Sequence, residues 1–488
     1  MGNIKGYQAA NAASLMIAHD FKGKCWIGMS KYYLLFIPPD VVHNNIAYDK
    51  PRINLNLADA QLQVDDKILL VHNANGSMLP FIYTVIYVNR GAGTLTLQLE
   101  ELYNRTVAWA EGIQLLDTFP PQYASNGTLH LARGDFERIV GKMGGKRMEE
   151  KALLEHIQRS IRARGYYFDD ETLYNYHICL KTRPFIILAG LSGTGKSKLS
   201  QLYAEALGHK QHYLRLPVRP NWNDDRYLLG HLNALTGEYF TEPAVEFIME
   251  ANEDEDNLYF FCLDEMNLAH VEYYFSQFLS AMEEEQEKDR KILLYGKRMQ
   301  RQLAETSKTQ TVPAQLLLPN NLFFTGTINV DETTQSISDK VIDRANTLEF
   351  FTVDLGKIPQ PTALPDPVPL STFTWQSYQV HTPDTAYRAQ IIDISKILNK
   401  ADLGLGYRVL REIELYLANS KDLLDPLTAF DLQVKQRILP RIRGTEVISG
   451  MMKELHEFLR QNKLIRSQQR LQEMRIRLER DGYTNFWR

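Results

Sequence analysis

Residues 190 to 197 have the types and the spacing of a phosphate-binding loop. They read G-L-S-G-T-G-K-S, a complete G-x-x-x-x-G-K-S, directly after the apolar run PFIILA and before a helical pattern. Glycines let such a loop curl until several backbone N–H groups point at one polyphosphate, and the following helix N-terminus adds positive potential. We therefore expect nucleotide phosphates to contact Gly190, Ser192, Gly193, Thr194, Gly195, Lys196 and Ser197.

The two last residues of this loop and a later acidic pair could complete a hydrolytic centre. Lys196 would reach the β- and γ-phosphates, and Ser197 would give a hydroxyl to Mg²⁺, which prefers oxygen ligands. The apolar run LYFFCLDEMN ends in Asp264 and Glu265. Asp264 would hold the Mg²⁺ shell through water, and Glu265 would polarise the attacking water or accept its proton. Alone, such an acidic pair could also be a solvated strand end.

Three further polar residues are candidates for the same chemistry. Asn329 ends the apolar run NLFFTGTIN, where an amide can orient the lytic water. Arg344 precedes the next predicted strand, from which a cation could neutralise charge on the nucleotide of a neighbouring subunit. An ordinary surface salt bridge is an equally good interpretation of Arg344. Arg408, in the helical pattern GYRVLRE, is a candidate sensor of the bound nucleotide.

Apolar strands alternate with helical patterns from about residue 184 to 350. This alternation predicts a parallel sheet flanked by helices, which would position these residues. Short apolar runs with Asn-Gly turns predict a β-rich domain before this core, and helical periodicity predicts a C-terminal lid after it. Five prolines between 357 and 371 indicate a linker. The predicted segments are a β-rich domain at 1–125, a helical connector at 126–182, the nucleotide-binding core at 183–356, a linker at 357–379 and helices at 380–488.

The composition excludes several protein classes. The 488 residues carry 55 basic and 59 acidic side chains, for a net charge of -4, so no global positive field attracts nucleic acid. Three widely spaced cysteines cannot build a disulfide framework or a zinc cluster. No stretch of 18 apolar residues and no clear signal peptide is evident. We expect a cytoplasmic protein of several domains.

Several motifs in order resemble the AAA+ superfamily over roughly residues 180 to 440, and within it the McrB family, the motor subunits of modification-dependent restriction systems. The resemblance rests on FIILAGLSGTGKSKL, PVRPNWNDDRYLLGHLNALTGEYF, LDEMNLAHVEYYFSQFLSAME, GTINVDETTQSISDKVIDRANTLEF and GYRVLREIELYL. It implies a hexameric ring with nucleotide at subunit interfaces, Asn329 as sensor 1, and Arg408 as sensor 2. It also implies a separate McrC-like nuclease partner and an N-terminal domain that recognises DNA in phage defence.

The sequence motifs leave two alternatives for the nucleotide, GTP or ATP, and two for the partner of residues 1–125, DNA or protein. Family membership favours GTP over ATP, but the sensor strand continues as Ile328-Asn329-Val330-Asp331-Glu332, where the best-known relatives have Met-Asn-Thr-Ala-Asp. A MoxR-like AAA+ chaperone that remodels a protein client is an alternative function. A nucleotide-switched binding module with negligible turnover is another. Residues 1–125 could accordingly bind DNA or protein.

Overall fold

The computed structural model divides the chain into two compact units, Met1–Met148 and Glu149–Arg488, which we describe separately. The described residues are 15–19, 25–29, 32–37, 52–56, 62–64, 66–72, 77–89, 94–103, 107–108, 128–131, 133–143, 148–233, 238–296, 312–330 and 337–487. Within these ranges, no helix combines the length and the apolar character that crossing a membrane requires.

The first unit is a mainly antiparallel β structure. Its strands are β1 (Leu15–His19), β2 (Cys25–Met29), β3 (Tyr32–Ile37), β4 (Arg52–Asn56), β5 (Lys67–His72), β6 (Ser77–Asn89), β7 (Thr94–Leu102), β8 (Val107–Ala108) and β9 (Thr128–Leu131). The strands β1 and β2 form a hairpin, whereas the others form a seven-stranded sheet in the order β4-β7-β6-β5-β3-β9, with β8 against β6. Among the described strands of this first unit, only the pair β3 and β5 is parallel.

Among the described residues of this unit, one helix packs on the sheet. The helix α1 (Arg133–Lys142) follows β9 and buries Phe136 and Ile139 against Leu34 and Leu69 of the sheet. Thus residues after 125 contribute both a strand and a helix to the first unit, while the helices α2 (Glu150–Ala163) and α3 (Asp170–Thr182) belong to the second unit. The segment 126–182 is therefore divided between the two units.

A five-stranded parallel sheet is the centre of the second unit. Its strands are β10 (Phe185–Gly190), β11 (Tyr213–Pro217), β14 (Tyr259–Asp264), β17 (Leu322–Asn329) and β18 (Asn346–Phe350). The spatial order is β11-β14-β17-β10-β18, and every neighbouring pair is parallel. The two strands β10 and β14 are buried along their whole length, as expected for a sheet with helices on both faces.

Short helices and hairpins connect the strands of this sheet. The elements are α4 (Lys196–Ala206), α5 (Arg226–Leu229), β12 (His231–Leu232), β13 (Tyr239–Phe240), α6 (Pro243–Glu253), α7 (Val271–Tyr274), α8 (Ser276–Ala281), β15 (Lys291–Leu293), β16 (Gln315–Leu317) and α9 (Asp339–Ile342). The strands β12 and β13 form one hairpin, and β15 and β16 form another. An aromatic core that includes Phe275, Phe278 and Phe324 packs these connections against the sheet.

The chain beyond β18 is helical after an irregular proline-rich stretch. Its elements are α10 (Thr372–Tyr378), α11 (Arg388–Asn399), α12 (Tyr407–Asn419), α13 (Pro426–Gln433), a π-helical turn (Val434–Ile438), β19 (Gly444–Thr445), α14 (Ser449–Gln461), α15 (Ile465–Asp481) and β20 (Tyr483–Thr484). The stretch before α10 runs along the second unit, since Thr362 N–H donates to Ala163 O and Val368 N–H donates to Ala206 O. Part of the predicted linker is therefore the helix α10.

Candidate functional site

The loop between β10 and α4 has the backbone shape that a phosphate cradle requires. Gly193 and Gly195 have positive φ angles of 79° and 91°, which an L side chain rarely adopts. Ser192 and Gly193 are exposed, so a ligand could approach their N–H groups. Because Lys196 begins the 11-residue helix α4, the positive end of that helix lies at the loop.

The loop is fixed to the sheet by hydrogen bonds with the edge strand β18 and with the residue that follows β17. Leu191 N–H donates to Phe350 O at 3.1 Å, and Val330 N–H donates to Gly190 O at 3.2 Å. A Cβ at Gly190 would lie 1.9 Å from Phe350 O, which explains a glycine there. The ring of Phe168 covers the other end of the loop, since a Cβ at Gly195 would meet it at 3.2 Å.

Lys196 is buried at the base of this loop. Its ammonium donates to Gly190 O at 3.2 Å and to Leu191 O at 2.5 Å, and the residue is only 6% exposed. Burial lowers the pKa of Lys196, although the carboxylates of Asp264 and Glu265 act in the opposite direction. The ammonium and the acidic pair are therefore close enough to interact electrostatically.

Asp264 ends β14 and is held by both neighbouring strands. Thr327 Oγ1 on β17 donates to Asp264 Oδ1 at 2.7 Å, and Arg215 Nε on β11 donates to Oδ2 at 3.0 Å. Thr327 Oγ1 also accepts the Glu265 N–H at 2.8 Å. One threonine therefore orients both acidic residues.

Glu265 and Asn329 meet at the ends of two adjacent strands. Asn329 Nδ2 donates to Glu265 Oε1 at 3.0 Å. Asn267 supports this pair, because its Nδ2 donates to Asn329 O at 2.8 Å and its Oδ1 accepts Asn329 N–H at 3.3 Å. Glu265 has a φ of 53°, an uncommon conformation for a non-glycine residue that is often found at functional sites. The arrangement can orient a water molecule between a carboxylate and an amide.

Arg344 and Arg408 lie together, because both bond the carboxylate of Glu283. Arg344 Nε donates to Glu283 Oε1 at 2.9 Å, its Nη2 lies 2.8 Å from Oε2, and Arg408 Nη1 donates to Oε1. Arg344 follows α9 and Arg408 is the second residue of α12, so Glu283 joins two distant segments of the chain. The sequence had placed Arg408 among the nucleotide contacts, whereas here its partner is Glu283.

The two arginines and the phosphate loop occupy opposite edges of the sheet. Gly190 pairs with Phe350 at the carboxyl end of β18, and Ile186 pairs with Asn346 at its amino end. Because a strand rises about 3.3 Å per residue, these ends are about 13 Å apart. Arg344 precedes Asn346 and is therefore at the amino edge, while Lys196, Asp264, Glu265 and Asn329 belong to the carboxyl edge. Within one chain, the arginines do not join the phosphate-binding group.

The oxygen atoms of Ser197 and Asp264 fit a magnesium ion that takes most of its ligands from water and from phosphate oxygens. Ser197 supplies a hydroxyl beside the loop, and Asp264 supplies a carboxylate that is already oriented by Thr327 and Arg215. In the described part of the chain, no group of three or more His, Cys, Asp or Glu side chains could hold a metal ion. A nucleotide-bound Mg²⁺, which keeps several waters and phosphate oxygens, suits this arrangement.

Four residues that support the site were not found from the sequence. They are Arg215, Thr327, Asn267 and Phe168, and each acts through a contact between segments that are far apart in sequence. The position of Thr327 on the predicted strand NLFFTGTIN was a usable signal, because neighbouring parallel strands bring polar residues near their carboxyl ends together.

Comparisons with known proteins describe this chain only coarsely. Residues 370–483 match a family model described as a domain of unknown function (DUF8727). No curated protein matches the chain. A solved structure from Cytophaga hutchinsonii, described as a candidate ATPase, is 14% identical with a TM-score of 0.40, and the match covers 64% of this chain and 93% of that one. The strand order and the loop geometry themselves fit an α/β P-loop nucleotide-binding core.

Proposed function

We propose that the chain is a Mg²⁺-dependent AAA+ nucleoside triphosphatase of the McrB type. In this proposal it assembles with copies of itself into a ring, recognises DNA through its first domain, and drives a separate McrC-like endonuclease in a restriction system. GTP is the favoured nucleotide and ATP the alternative. The motifs that resemble the McrB family and the geometry of the second unit support this assignment.

The observation that carries the proposal is the separation of the two halves of a hydrolytic site. The carboxyl edge holds Lys196, the acidic pair and Asn329, but the arginines that could neutralise transition-state charge lie at the amino edge on Glu283. A second copy that places its amino edge on the first copy's phosphate loop would complete the site. This geometry supports hydrolysis at an interface between identical chains.

Each residue then has a defined task at such an interface. The loop N–H groups and Lys196 bind the phosphates, while Ser197 and, through water, Asp264 would hold Mg²⁺, which supplies charge neutralisation on the phosphate oxygens. Asn329 orients a water molecule, and Glu265 accepts its proton. Arg344 of one copy, with Arg408 beside it, would stabilise the charge that develops on the nucleotide of the next copy.

The experiment that tests the proposal is phosphate release from GTP and from ATP by the purified full-length chain, with and without duplex DNA. The Glu265→Gln variant is the blank, because it keeps the shape of the side chain but cannot accept a proton. We expect turnover that rises with protein concentration as rings form, and that is selective for GTP. Turnover equal to the Glu265→Gln blank with both nucleotides would contradict the assignment as an enzyme and favour a nucleotide-switched binding module.

The nucleotide result also separates the two motor functions. GTP-selective turnover would favour the restriction assignment, and a nuclease partner should then be sought. ATP-selective turnover would keep the ring motor but favour the MoxR-like chaperone. In that case, a protein client for residues 1–125 would become the next question.

A further inference from the structure

The backbone around Arg344 is held from both sides by a buried arginine of another segment. Arg437 Nη1 donates to Ile342 O at 3.1 Å and also to Ala345 O, and its Nη2 donates to Asp343 O at 3.0 Å. Arg437 is 2% exposed. These three carbonyls belong to the two residues before Arg344 and the one after it, at the end of the four-residue helix α9, where intrahelical donors are lacking.

A second arginine and one carboxylate complete this support. Arg183 Nη1 donates to Asp343 O at 3.3 Å and lies 2.6 Å from Glu412 Oε1. Glu412 also accepts from Arg437, so it is shared by the two guanidinium groups. Burial lowers the pKa of Arg183 to about 10, and the Glu412 carboxylate opposes that shift. Arg183 therefore remains cationic at neutral pH.

The same carboxylate connects this support to Arg408. Glu412 and Arg408 are four residues apart on α12 and thus lie on one face of that helix. Arg437 itself belongs to the π-helical turn Val434–Ile438, a rare conformation that is frequent at functional sites. The C-terminal segments thus hold the backbone around Arg344 through Arg437 and carry Arg408 on α12.

We propose that Arg437 is a positioning residue for Arg344: by holding the carbonyls of residues 342, 343 and 345, it aims the Arg344 guanidinium at nucleotide bound by a neighbouring copy of this chain. This inference rests on the proposed function. It adds that the C-terminal helices control hydrolysis at the interface through a backbone contact, and that Arg437 contacts neither nucleotide nor Mg²⁺. A change of position of about 1 Å in a catalytic group can reduce rate about 100-fold.

The first test is Arg437→Lys in the full-length chain, with whichever of GTP and ATP is turned over. Lysine keeps the charge, but one ammonium cannot reach three carbonyls and Glu412 together. We expect kcat to fall about 100-fold while the nucleotide Kd and ring formation stay at wild-type values. The matched control is Arg443→Lys, because Arg443 is half-exposed and bonds the side chain of Asp339 on the same short helix. It should keep wild-type turnover.

A merely structural arginine would behave differently in two further measurements. Mixing Arg437→Lys with Glu265→Gln should restore turnover, since the second protein presents an intact Arg344 to the intact acidic pair of the first. The double variant Arg344→Ala/Arg437→Lys should be no slower than Arg344→Ala alone, because the two residues act as one unit. Losses that multiply, or a mixture without recovered turnover, would overturn the inference.

The outcomes also separate this inference from the proposed function. Wild-type turnover in Arg344→Ala would contradict the role of Arg344 itself. A large loss in Arg344→Ala with wild-type turnover in Arg437→Lys would contradict only the positioning role. If Arg437→Lys does not fold, Glu412→Gln replaces it, since it removes the charge shared by Arg437 and Arg183 while keeping the side-chain shape. The same mixing and double-variant measurements then decide the role.

Discussion

The carboxyl and amino edges of the central sheet use charged residues in contrasting ways. At the carboxyl edge, Lys196 donates to carbonyls of its own loop, and Asp264 and Glu265 are oriented by neighbouring strands. At the amino edge, arginines predominate, and Glu283 and Glu412 each serve two of them. In the proposed function, one edge receives phosphate and the other presents positive charge to a neighbouring copy. Because the two edges are separate, a single copy would then hold only half of a hydrolytic site.

The largest expected effect comes from removing the Lys196 ammonium at the carboxyl edge of the sheet. Lys196→Ala should abolish nucleotide binding, because Lys196 is the one lysine of the phosphate loop. Ring formation should be lost together with the bound nucleotide. Fluorescent-nucleotide titration and sedimentation velocity measure the two effects. Nucleotide-bound rings in this variant would contradict the role of Lys196.

Removing the cation of the amino edge should leave binding intact. For Arg344→Ala, we expect an unchanged nucleotide Kd and turnover reduced by about 1,000-fold, the contribution typical of an arginine that acts on a neighbour's phosphates. Steady-state phosphate release at saturating nucleotide measures it. Arg411→Ala is a suitable control, because Arg411 is exposed and bonds only Glu285 among the described partners. Equal turnover in both variants would make Arg344 an ordinary salt-bridge residue.

A backbone contact at the carboxyl edge should have a measurable effect on stability. Gly190→Ala would place a methyl group 1.9 Å from Phe350 O, so β10 and β18 must separate. We expect the free energy of unfolding to fall by about 3 kcal/mol, measured by denaturant titration. Gly450→Ala is the control, since a Cβ there meets nothing within 4 Å. Equal stability of the two variants would contradict the close contact of Gly190 with β18.

The smallest effect concerns the carboxylate shared by Arg344 and Arg408. Glu283→Gln should change turnover by less than about fivefold, because exposed ion pairs contribute about 1 kcal/mol or less. We expect the change to be an increase at limiting protein concentration, since Glu283 competes with a neighbour's phosphates for both arginines. A decrease as large as that of Arg344→Ala would instead make Glu283 part of the active interface.

The same variant has a defined pH signature. Burial would raise the pKa of Glu283, but the hydrogen bond from Arg408 and the charge of Arg344 outweigh it and hold that pKa below its ordinary value. The carboxylate therefore stabilises the fold above the unfolded pKa of about 4.3, and this contribution is lost as pH falls through the lower folded value. Thermal unfolding of wild type and Glu283→Gln should differ near neutral pH and converge in acid.

The sequence predicted the elements of the carboxyl edge well because its signals are local. The runs PFIILAG, LYFFCLDE and NLFFTGTIN correspond to β10, β14 and β17, and the candidate residues Asp264, Glu265 and Asn329 end these strands or come directly after them. Arg408 shows the limit of that reasoning. Its helix was predicted, but its partner Glu283 is 125 residues away, and no local pattern indicates which edge of the sheet that helix reaches.

By itself, the sequence determined the chemistry that is available: a glycine-rich loop, a lysine, a hydroxyl, two carboxylates, an amide and several arginines at strand and helix ends. Local spacing is sufficient for that, because it fixes which side chains end a strand or begin a helix. Only the tertiary structure decided that Arg344 and Arg408 share Glu283, that Thr327 orients both carboxylates, and that Arg437 holds the backbone around Arg344. These contacts join segments far apart in the chain, and they depend on how helices and strands pack rather than on the order of neighbouring residues.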